Sequence, residues 1–511
     1  MESAELRSDD GTMASLLMTR TVVRACRRRF LSAVGQSGIA AWVGQALPLA
    51  GCGRGDGGVV AGPSSPADAT RSLRLPPTIG GGELSAAPSR QEVWAGSATA
   101  LWTLGATYPS PTIRVRSGDF LSVRLQNRLP EATNIHWHGL TAPPEMDGFP
   151  TDVVPPGGAR DYRFRVMERA GTYWYHPHPD RRTGPQVYAG IAGFLIVEDE
   201  EERRLALPSG PFDVPLLIQD RRLTADRSFA YGPTAMDVFT GYLGDTVLVN
   251  GTPEASLAVA RGLYRLRLLN GSNARVYRLA FTDGRRFHVI ATDGGLLDQP
   301  VEAGTVDLGP GERVELLVDF SLAAAGSTVV LKSLPFAGTG GMGGTGSQGI
   351  ELTVLRLEVT SSSGPAAPIP SSLGRIERLD PSRAVRVKTF AFGMGMGPMM
   401  MGGFTINGRP FDPLRIDARV SLGEAEIWEI RNVSQEIHPF HVHATQFQVL
   451  SRSGRAGLGP QDLGWKDTVL TWPGETVRII LRFEEYPGLY VLHCHNLEPE
   501  DAGMMSAFEV A

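Results

Sequence analysis

The chain has 511 residues, which is too long for one ordinary hydrophobic core and predicts two to four domains. Its 61 Gly and 37 Pro, with 42% hydrophobic residues, favour turn-rich β domains over long helices. The net charge of −5 includes no block of like charge outside the N-terminal segment, which argues against nucleic acid and anionic membrane surfaces as partners. Three cysteines cannot build a disulfide scaffold.

The N-terminal segment, residues 1–52, is typical of an export signal. The basic stretch CRRRFLSAVG (26–35) precedes an apolar run that ends in LAGC at Cys52. Arg27 and Arg28 resemble the twin-arginine type of signal, and LAGC resembles a bacterial lipobox, in which Cys52 would carry a lipid anchor. A transmembrane anchor fits less well, because glycines, glutamines and a proline interrupt the run. We therefore expect an exported protein, either periplasmic or membrane-anchored as an extracytoplasmic lipoprotein.

Residues 53–75 are rich in Gly, Pro and Ser and predict a flexible linker. The body that follows consists of short alternating apolar runs between turns, such as TIRVRSGDFLSVRLQNRLP (112–130), which predict β-strands. A change of composition after residue 211 and the stretch SSSGPAAPIPSS (361–372) divide the body into three parts. We predict an all-β protein with three tandem Greek-key β-sandwich domains, at 76–205, 206–362 and 380–511.

Nine of the ten histidines fall in four short motifs, and each motif contains a His-x-His pair. On a strand, residues i and i+2 face the same side, so each pair presents two imidazoles together. A single pair would be explained more simply as a half-exposed strand, but four pairs indicate a metal site. The pairs are His136 and His138 in HWHG, His176 and His178 in YHPH, His441 and His443 in HPFHVH, and His493 and His495 in HCH. The tenth, His288 in RRFHVIATDGG, is predicted to be a structural strand residue.

Eight paired imidazoles exceed what one small metal ion binds, so the sequence predicts a multinuclear cluster between the first and third parts. His438 remains outside the pairs, and on a strand Cys494 faces away from its neighbours in HCH. A thiolate, an imidazole and a distant, weak methionine such as Met504 make up a blue-copper electron-transfer site. Zinc also binds Cys and His, but it prefers closed four-ligand sites and has no use for eight further histidines.

The four motifs in this order, across about residues 75–511, resemble those of the three-domain multicopper oxidases, especially the bacterial laccase and cuprous-oxidase type. Framework segments that share the resemblance are PTIRVRSGD (111–119), NIHWHGL (134–140), LLNGSNAR (268–275), PGERVELLVDF (310–320), INGRPFD (406–412) and WKDTV (465–469). The resemblance implies three cupredoxin-like domains and four copper ions. It also implies an oxidase that couples one-electron oxidation of phenolic or aromatic donors, or of Cu(I), to the four-electron reduction of O2 to water.

Carried over residue by residue, the resemblance implies three kinds of copper site. The type 2 copper would be held by His136 and His441. The type 1 copper would be held by His438, Cys494 and Met504. The paired type 3 coppers would be held by the remaining six ligands, His138, His176, His178, His443, His493 and His495. Asp147 and Glu500 match acidic positions through which the family feeds protons to oxygen.

The sequence departs from the family pattern at Pro499, where the family has a second type 1 histidine. Proline offers neither a side-chain donor nor a backbone N–H. Three interpretations stay open: a sequence error, a recent loss with water or Glu498 in the gap, and drift to a non-enzymatic copper-binding or scaffold role. Retention of the other ligands favours the first two. The sequence therefore predicts a weak blue thiolate-to-copper band and poor oxidase turnover.

The electron donor is not settled by the sequence. The loop GMGMGPMMMGGF (393–404) carries thioethers, which favour Cu(I), but a merely flexible Gly/Met loop is an equal interpretation. The SQEI stretch (434–437) before His438 lacks the Asp and Met that cuprous-oxidising relatives have there. Oxidation of phenols or aromatic amines is therefore the broader prediction.

Overall fold

The structure is a computed structural model that describes residues 71–337, 348–394, 403–455 and 457–511. Strands dominate these ranges, and the all-β prediction is confirmed. None of the helices that the structure describes is long and apolar enough to cross a membrane. The predictions for the export signal, for Cys52, for most of the linker and for the methionines of 395–402 lie outside the described residues.

The first sandwich pairs a five-stranded sheet (β2-β5-β10-β9-β7) with a four-stranded sheet (β4-β3-β6-β8). Strand β6 alternates exposed and buried residues, as expected for a strand with one face on the core. Two short helices, α1 (Thr183–Ala189) and α2 (Glu200–Arg203), lie beside β10 in the chain. The first strand of the chain, β1 (Arg71–Ser72), belongs to the second sandwich. The strands of the first sandwich are β2 (Thr78–Ile79), β3 (Gly82–Trp94), β4 (Ser97–Leu104), β5 (Thr112–Arg116), β6 (Phe120–Asn127), β7 (His136–His138), β8 (Ala159–Arg165), β9 (Gly171–His176) and β10 (Gly193–Glu198).

The second sandwich has a seven-stranded sheet (β13-β12-β11-β15-β20-β17-β18) and a six-stranded sheet (β1-β14-β22-β21-β16-β19). One short helix, α3 (Ala235–Thr240), lies in the loop after β11. The strands are β11 (Asp213–Arg221), β12 (Thr246–Val249), β13 (Thr252–Pro253), β14 (Ala255–Arg261), β15 (Leu263–Asn270), β16 (Tyr277–Phe281), β17 (Phe287–Thr292), β18 (Gly295–Ala303), β19 (Val306–Leu308), β20 (Arg313–Asp319), β21 (Thr328–Ser333) and β22 (Leu352–Ser363).

The third sandwich packs two five-stranded sheets, β24-β23-β26-β30-β28 and β25-β32-β31-β27-β29. A single turn of helix, α4 (Leu497–Asp501), follows the HCH motif. The strands are β23 (Val387–Met394), β24 (Phe404–Ile406), β25 (Ala418–Val420), β26 (Ala425–Asn432), β27 (His438–Val442), β28 (Phe447–Arg452), β29 (Thr468–Thr471), β30 (Thr476–Arg482), β31 (Gly488–Cys494) and β32 (Met505–Val510). Each sandwich buries its own large hydrophobic cluster.

Two predicted irregular stretches prove to be partly strand. Arg71 and Ser72, predicted as linker, form β1 and pair in parallel with Ala255 and Ser256 of the second sandwich. Residues 361–363, predicted to be poorly structured, continue β22. Backbone pairing with a distant strand satisfies the N–H and C=O groups of both stretches, and local composition does not reveal such a partner.

Candidate metal centre

The four His-x-His pairs lie on strands of the first and third sandwiches or at the ends of those strands: the first pair is wholly within β7, and in the other three the second histidine follows the strand end. In the antiparallel pair β7–β9, His136 lies opposite His176. In the antiparallel pair β27–β31, His441 lies opposite His493. All eight paired imidazoles are buried, and ring contacts connect the two sandwiches, including a stacked pair formed by His138 and His441. The structure thus brings together the eight histidines that the sequence assigns to one cluster.

His136 and His441 face each other with their Nε2 atoms 3.4 Å apart. His136 donates its Nδ1 hydrogen to the carbonyl of Asp147 at 2.8 Å, and His441 donates to the carbonyl of Asp467 at 2.9 Å. These bonds place the proton of each ring on Nδ1 and leave Nε2 as a free electron-pair donor.

A second group consists of His178, His443 and His493. Their Nε2 atoms approach closely, at 3.2 Å for His178 and His493 and at 3.2 Å for His443 and His493. His443 donates its Nδ1 hydrogen to Asp147 Oδ2 at 2.7 Å, and His493 donates its own to the carbonyl of Cys494 at 3.0 Å. At least two of the three rings therefore present unprotonated Nε2 atoms to one point.

A third group is formed by His138, His176 and His495. His138 Nδ1 lies 3.4 Å from His176 Nε2, and His176 donates its own Nδ1 hydrogen to the carbonyl of Pro177. The ring of His495 lies 4.9 Å from that of His138 and 5.4 Å from that of His176, measured between centroids. Neither ring nitrogen of His495 has a hydrogen-bond partner within the described parts of the chain.

The donor set fits metal ions. Two imidazole nitrogens bound to one ion at about 2.0–2.1 Å in tetrahedral geometry lie about 3.3 Å apart, close to the separations found here. Potential ligand atoms lie within 4.8 Å of one another in overlapping groups, and four histidines belong to two groups each: His136, His138, His441 and His443. Buried imidazole nitrogens without a partner, as in His495, are costly unless an ion binds them.

Burial favours the neutral, metal-binding form of seven of the cluster histidines, whose pKa values it lowers. Desolvation, reinforced by neighbouring imidazoles, lowers the pKa of His136, His178, His443 and His495 well below the usual range. The pKa of His176 falls to about 3 for the same reasons. Eight charged imidazoles could not share this volume.

The two predicted acidic residues lie against the cluster. Asp147 is buried, and besides accepting from His443 it has Oδ1 3.6 Å from His136 Nδ1. Glu500 places Oε1 3.3 Å from His178 Nε2 and Oε2 3.1 Å from His493 Nδ1. Both carboxyl groups are therefore in direct contact with histidines of the cluster.

Beside the cluster, His438 and Cys494 are in contact, with His438 Nδ1 3.2 Å from Cys494 Sγ. The other ring nitrogen, Nε2, lies 2.8 Å from Ser434 Oγ. Cys494 donates its backbone N–H to the carbonyl of Met504 at 3.0 Å, and both side chains are fully buried in the core of the third sandwich. Burial lowers the pKa of His438 to about 4. The thiol and the imidazole are thus in contact, and the thioether of Met504 is buried in the same hydrophobic cluster as the thiol.

The structure corrects one suggestion about Pro499. Glu498 does not fill the gap left by the missing histidine, because its carboxylate is engaged elsewhere: Oε1 accepts from Asn273 Nδ2 at 2.7 Å and from the hydroxyl of Tyr231 at 3.1 Å. Oε2 accepts from the backbone N–H of Tyr242. Pro499 itself is buried in α4.

Sequence reasoning missed two polar residues at the cluster, Asp467 and Arg313. Asp467 accepts from His138 Nε2 at 2.9 Å and forms a two-point ion pair with Arg313, and both side chains are fully buried. They belong to the segments WKDTV and PGERV, which had been noted only as framework. The signal that could have identified both residues is a charged side chain inside a segment that is otherwise predicted to be an apolar strand. His288, by contrast, lies in β17 and takes no part in the ligand groups found in the described residues.

Comparison with known proteins agrees with this geometry. Models of the multicopper oxidase family match residues 87–202, 224–356 and 379–511. The chain is 31% identical over 476 residues to the laccase of Bacillus subtilis, covering 81% of this chain and 90% of the laccase. It is also 34% identical over 498 residues to the cell division protein FtsP of Xenorhabdus nematophila, covering 94% of this chain and 97% of FtsP. The chain belongs to the multicopper oxidase family.

A solved structure supports the same conclusion for the fold. The McoA multicopper oxidase of the hyperthermophile Aquifex aeolicus aligns with a TM-score of 0.79 and 37% identity, covering 86% of this chain and 99% of McoA. The predicted architecture of three cupredoxin-like β-sandwiches is therefore confirmed. Copper binding follows from the family and is compatible with the histidine groups.

Proposed function

We propose that the protein is a laccase-like oxidase that couples one-electron oxidation of a small aromatic donor to the four-electron reduction of O2 to water. The observation that carries the proposal is the convergence of eight buried imidazoles beside a buried cysteine–histidine pair. Copper bound there supplies one-electron redox chemistry and a binding place for dioxygen.

The ligand assignment is the one that the family resemblance implies, and the close Nε2 contacts of His136 with His441 and of His493 with two other histidines support part of it. We assign the type 2 copper to His136 and His441 and the type 1 copper to His438, Cys494 and Met504. We assign the type 3 pair to two groups of three, of which one is His178, His443 and His493 and the other is His138, His176 and His495. Four copper ions are expected, with the type 1 ion weakly held because Pro499 offers no ligand atom.

The chain itself provides the routes for electrons and protons. Cys494 is joined by peptide bonds to His493 and His495, so its sulfur lies a few covalent bonds from both halves of the type 3 pair. Asp147 Oδ2 holds the Nδ1 hydrogen of His443. We propose that Asp147 and Glu500 hold and pass protons at the histidines that would bind copper, because both carboxyl groups are buried against those rings.

We favour a small aromatic compound as the electron donor, because a cavity has aromatic side chains in its lining and one of them contacts α4. A cavity of about 650 Å³ is lined by residues that include Trp102, Tyr188 and Tyr231. Aromatic walls suit a planar ring. At the edge of this cavity the hydroxyl of Tyr231 contacts Glu498, which follows Cys494 closely in the chain. Glu498 would take the proton that a phenol loses on oxidation, and burial raises its pKa to about 7.

The main experiment measures oxygen uptake by copper-loaded protein with a phenolic donor and with Cu(I), together with copper content and visible absorption. We expect consumption of one O2 for every four electrons and no release of peroxide. Trp102→Ala should raise the KM for the phenol by a larger factor than the KM for Cu(I). Phe120→Ala, at a half-exposed position outside the cavity lining, is the control and should change neither KM.

A non-enzymatic copper-binding or scaffold role is the second candidate. It is favoured by the match to FtsP, which is named as a cell division protein, and by the loss of a ligand at Pro499. Protein that binds copper but consumes no oxygen with either donor would support this candidate.

Export by the twin-arginine route and a lipid on Cys52 are proposed from the sequence motifs, and fractionation of cells that produce a Cys52→Ala variant tests the anchor.

A further inference from the structure

The imidazole of His138 is turned opposite to those of five other cluster histidines. These five donate the Nδ1 hydrogen to an oxygen and direct Nε2 at a neighbouring ring: His136, His176, His441, His443 and His493. His138 instead directs Nδ1 toward His176 and donates its Nε2 hydrogen to Asp467 Oδ1 at 2.9 Å, with the hydroxyl of Thr468, itself bonded to Asp467, 3.1 Å from the same nitrogen. A carboxylate can only accept, so Nδ1 of His138 keeps the electron pair that a metal ion needs.

Asp467 is in turn fixed by Arg313. The guanidinium donates from Nη1 to Oδ1 at 2.7 Å and from Nη2 to Oδ2 at 2.6 Å. Its three remaining hydrogens go to the backbone carbonyls of Thr172, Gly311 and Asp293. All five donors of a fully buried guanidinium are therefore used, which leaves Asp467 one orientation.

Two glycines allow these groups to approach. A Cβ atom on Gly139, where φ is +89°, would lie 2.5 Å from Asp467 Oδ2. A Cβ atom on Gly311, where φ is +84°, would lie 3.0 Å from the ring of His495 and 3.2 Å from the ring of His138. The turn before β20 of the second sandwich thus lies directly against the cluster, although the only histidine of that sandwich, His288, is elsewhere.

We infer that Arg313 is a positioning residue through which the second sandwich, acting by way of Asp467, fixes the metal-facing nitrogen of His138. This inference rests on the proposed function, because it assigns a role toward the copper ion held by His138, His176 and His495. Arg313 belongs to the second sandwich, Asp467 to the third and His138 to the first, so the contact connects all three.

The test is Arg313→Lys, which keeps the charge and removes the two-point contact with Asp467. We expect copper affinity to fall by about 10- to 100-fold, the usual effect of losing a partner of a metal-binding histidine. We also expect a new electron paramagnetic resonance signal from copper ions that are no longer coupled as a pair. Both are measured on copper-loaded protein, the affinity by competition with a chelator. Asp467→Asn should act in the same way and serves if Arg313→Lys does not fold.

The matched control is Arg452→Lys. Arg452 forms a similar buried two-point contact with Asp462 in the third sandwich, at 3.0 and 2.7 Å, and its other partners are Glu475 and a backbone carbonyl. This control should lower thermal stability but leave copper affinity and the resonance spectrum unchanged. Wild-type affinity and spectrum in both Arg313→Lys and Asp467→Asn, or an equal loss in Arg452→Lys, would overturn the inference. These readouts do not use oxygen uptake, so failure of the oxidase proposal is distinguished from failure of the positioning role.

Discussion

Pro499 sits where the backbone of α4 accepts a proline without loss. It is the third residue of the helix after Asn496, and the first N–H groups of a helix have no acceptor within it. Its carbonyl still accepts the N–H of Met504 at 2.9 Å, so the turn that carries the methionine is maintained. The substitution therefore affects the supply of ligands more than the fold.

Pro499→His should restore a fourth type 1 ligand. We expect a stronger blue absorption band per bound copper and faster oxygen uptake, with the free energy of unfolding changed by about 1 kcal/mol or less because the residue lies in the first helical turn. Pro499→Ala is the control, since it removes proline without adding a donor, and it should stay pale. An equal gain in both variants, or an intensely blue unaltered protein, would show that the ligand assignment is wrong.

Glu168 makes stability depend on pH. Burial raises its pKa to about 7, although backbone N–H groups of Thr141 and Met167 oppose the shift. Between its ordinary value of 4.5 and about 7, the folded protein keeps this proton while the unfolded chain loses it. The contribution of Glu168 to the free energy of unfolding therefore falls as pH rises through this window.

We expect Glu168→Gln to remove the fall in the free energy of unfolding as pH rises. The variant should be less stable than the unaltered protein at acidic pH, because an amide has one hydrogen-bond acceptor fewer than a carboxyl group. Urea unfolding of copper-free protein at about pH 5 and about pH 8 checks this. The buried histidines change the pH dependence of stability in the opposite direction. Because both proteins contain them, comparing the two proteins removes their contribution. The explanation fails if the two proteins lose stability equally over this range.

At the scale of elements, the central strands of the second sandwich bury charge. β15 (LYRLRLLN) is buried along its whole length, yet it contains Arg265 and Arg267. Arg267 lies opposite Glu315 of β20, and Glu315 accepts from both guanidinium groups at 2.5–2.9 Å. Burial alone would raise the pKa of Glu315, but the two arginines hold it below its usual value. One face of this strand is therefore apolar, and the other carries the ion-paired arginines.

Glu315→Ala should lower the free energy of unfolding by about 3–5 kcal/mol, because it leaves two buried guanidinium groups short of a partner. Urea unfolding of the copper-free protein measures the change. Asp161→Ala, which breaks the exposed pair with Arg124 between β6 and β8, is the control and should cost less than about 1 kcal/mol. Similar losses in the two variants would mean that the buried network is not the cause.

At the scale of the whole molecule, the cluster joins the two ends of the chain. Its histidines lie on or just after β7 and β9 of the first sandwich and β27 and β31 of the third. Metal binding to these residues requires both sandwiches to be folded and in place, so binding and tertiary structure are thermodynamically linked.

Copper should therefore stabilise the protein. At a free concentration about 100 times the Kd, one site adds about 2.7 kcal/mol to the free energy of unfolding, and a chelator should reverse the effect. His443→Ala should reduce both the copper content and this stabilisation. His288→Ala, on β17 away from the cluster, should reduce neither. The measurements are metal analysis and thermal unfolding with and without copper, and an equal effect of both variants contradicts the assignment.

The sequence alone determined the β class, the three-domain organisation and the eight histidines that the structure brings together. These properties are local: a period of two marks a strand, and a His-x-His pair on a strand faces one side whatever surrounds it. The order of the motifs then identified the family.

Only the tertiary structure decided which nitrogen each imidazole presents and what holds it there. Asp467 and Arg313 meet across 154 residues of chain, and Glu498 turns to Tyr231 and Asn273 rather than toward the cysteine. The two residues of β1, which the sequence predicts to be linker, pair with a strand of the second sandwich. Such contacts depend on how distant strands pack and on where each side chain finds a hydrogen-bond partner, and no periodicity within a short segment encodes either.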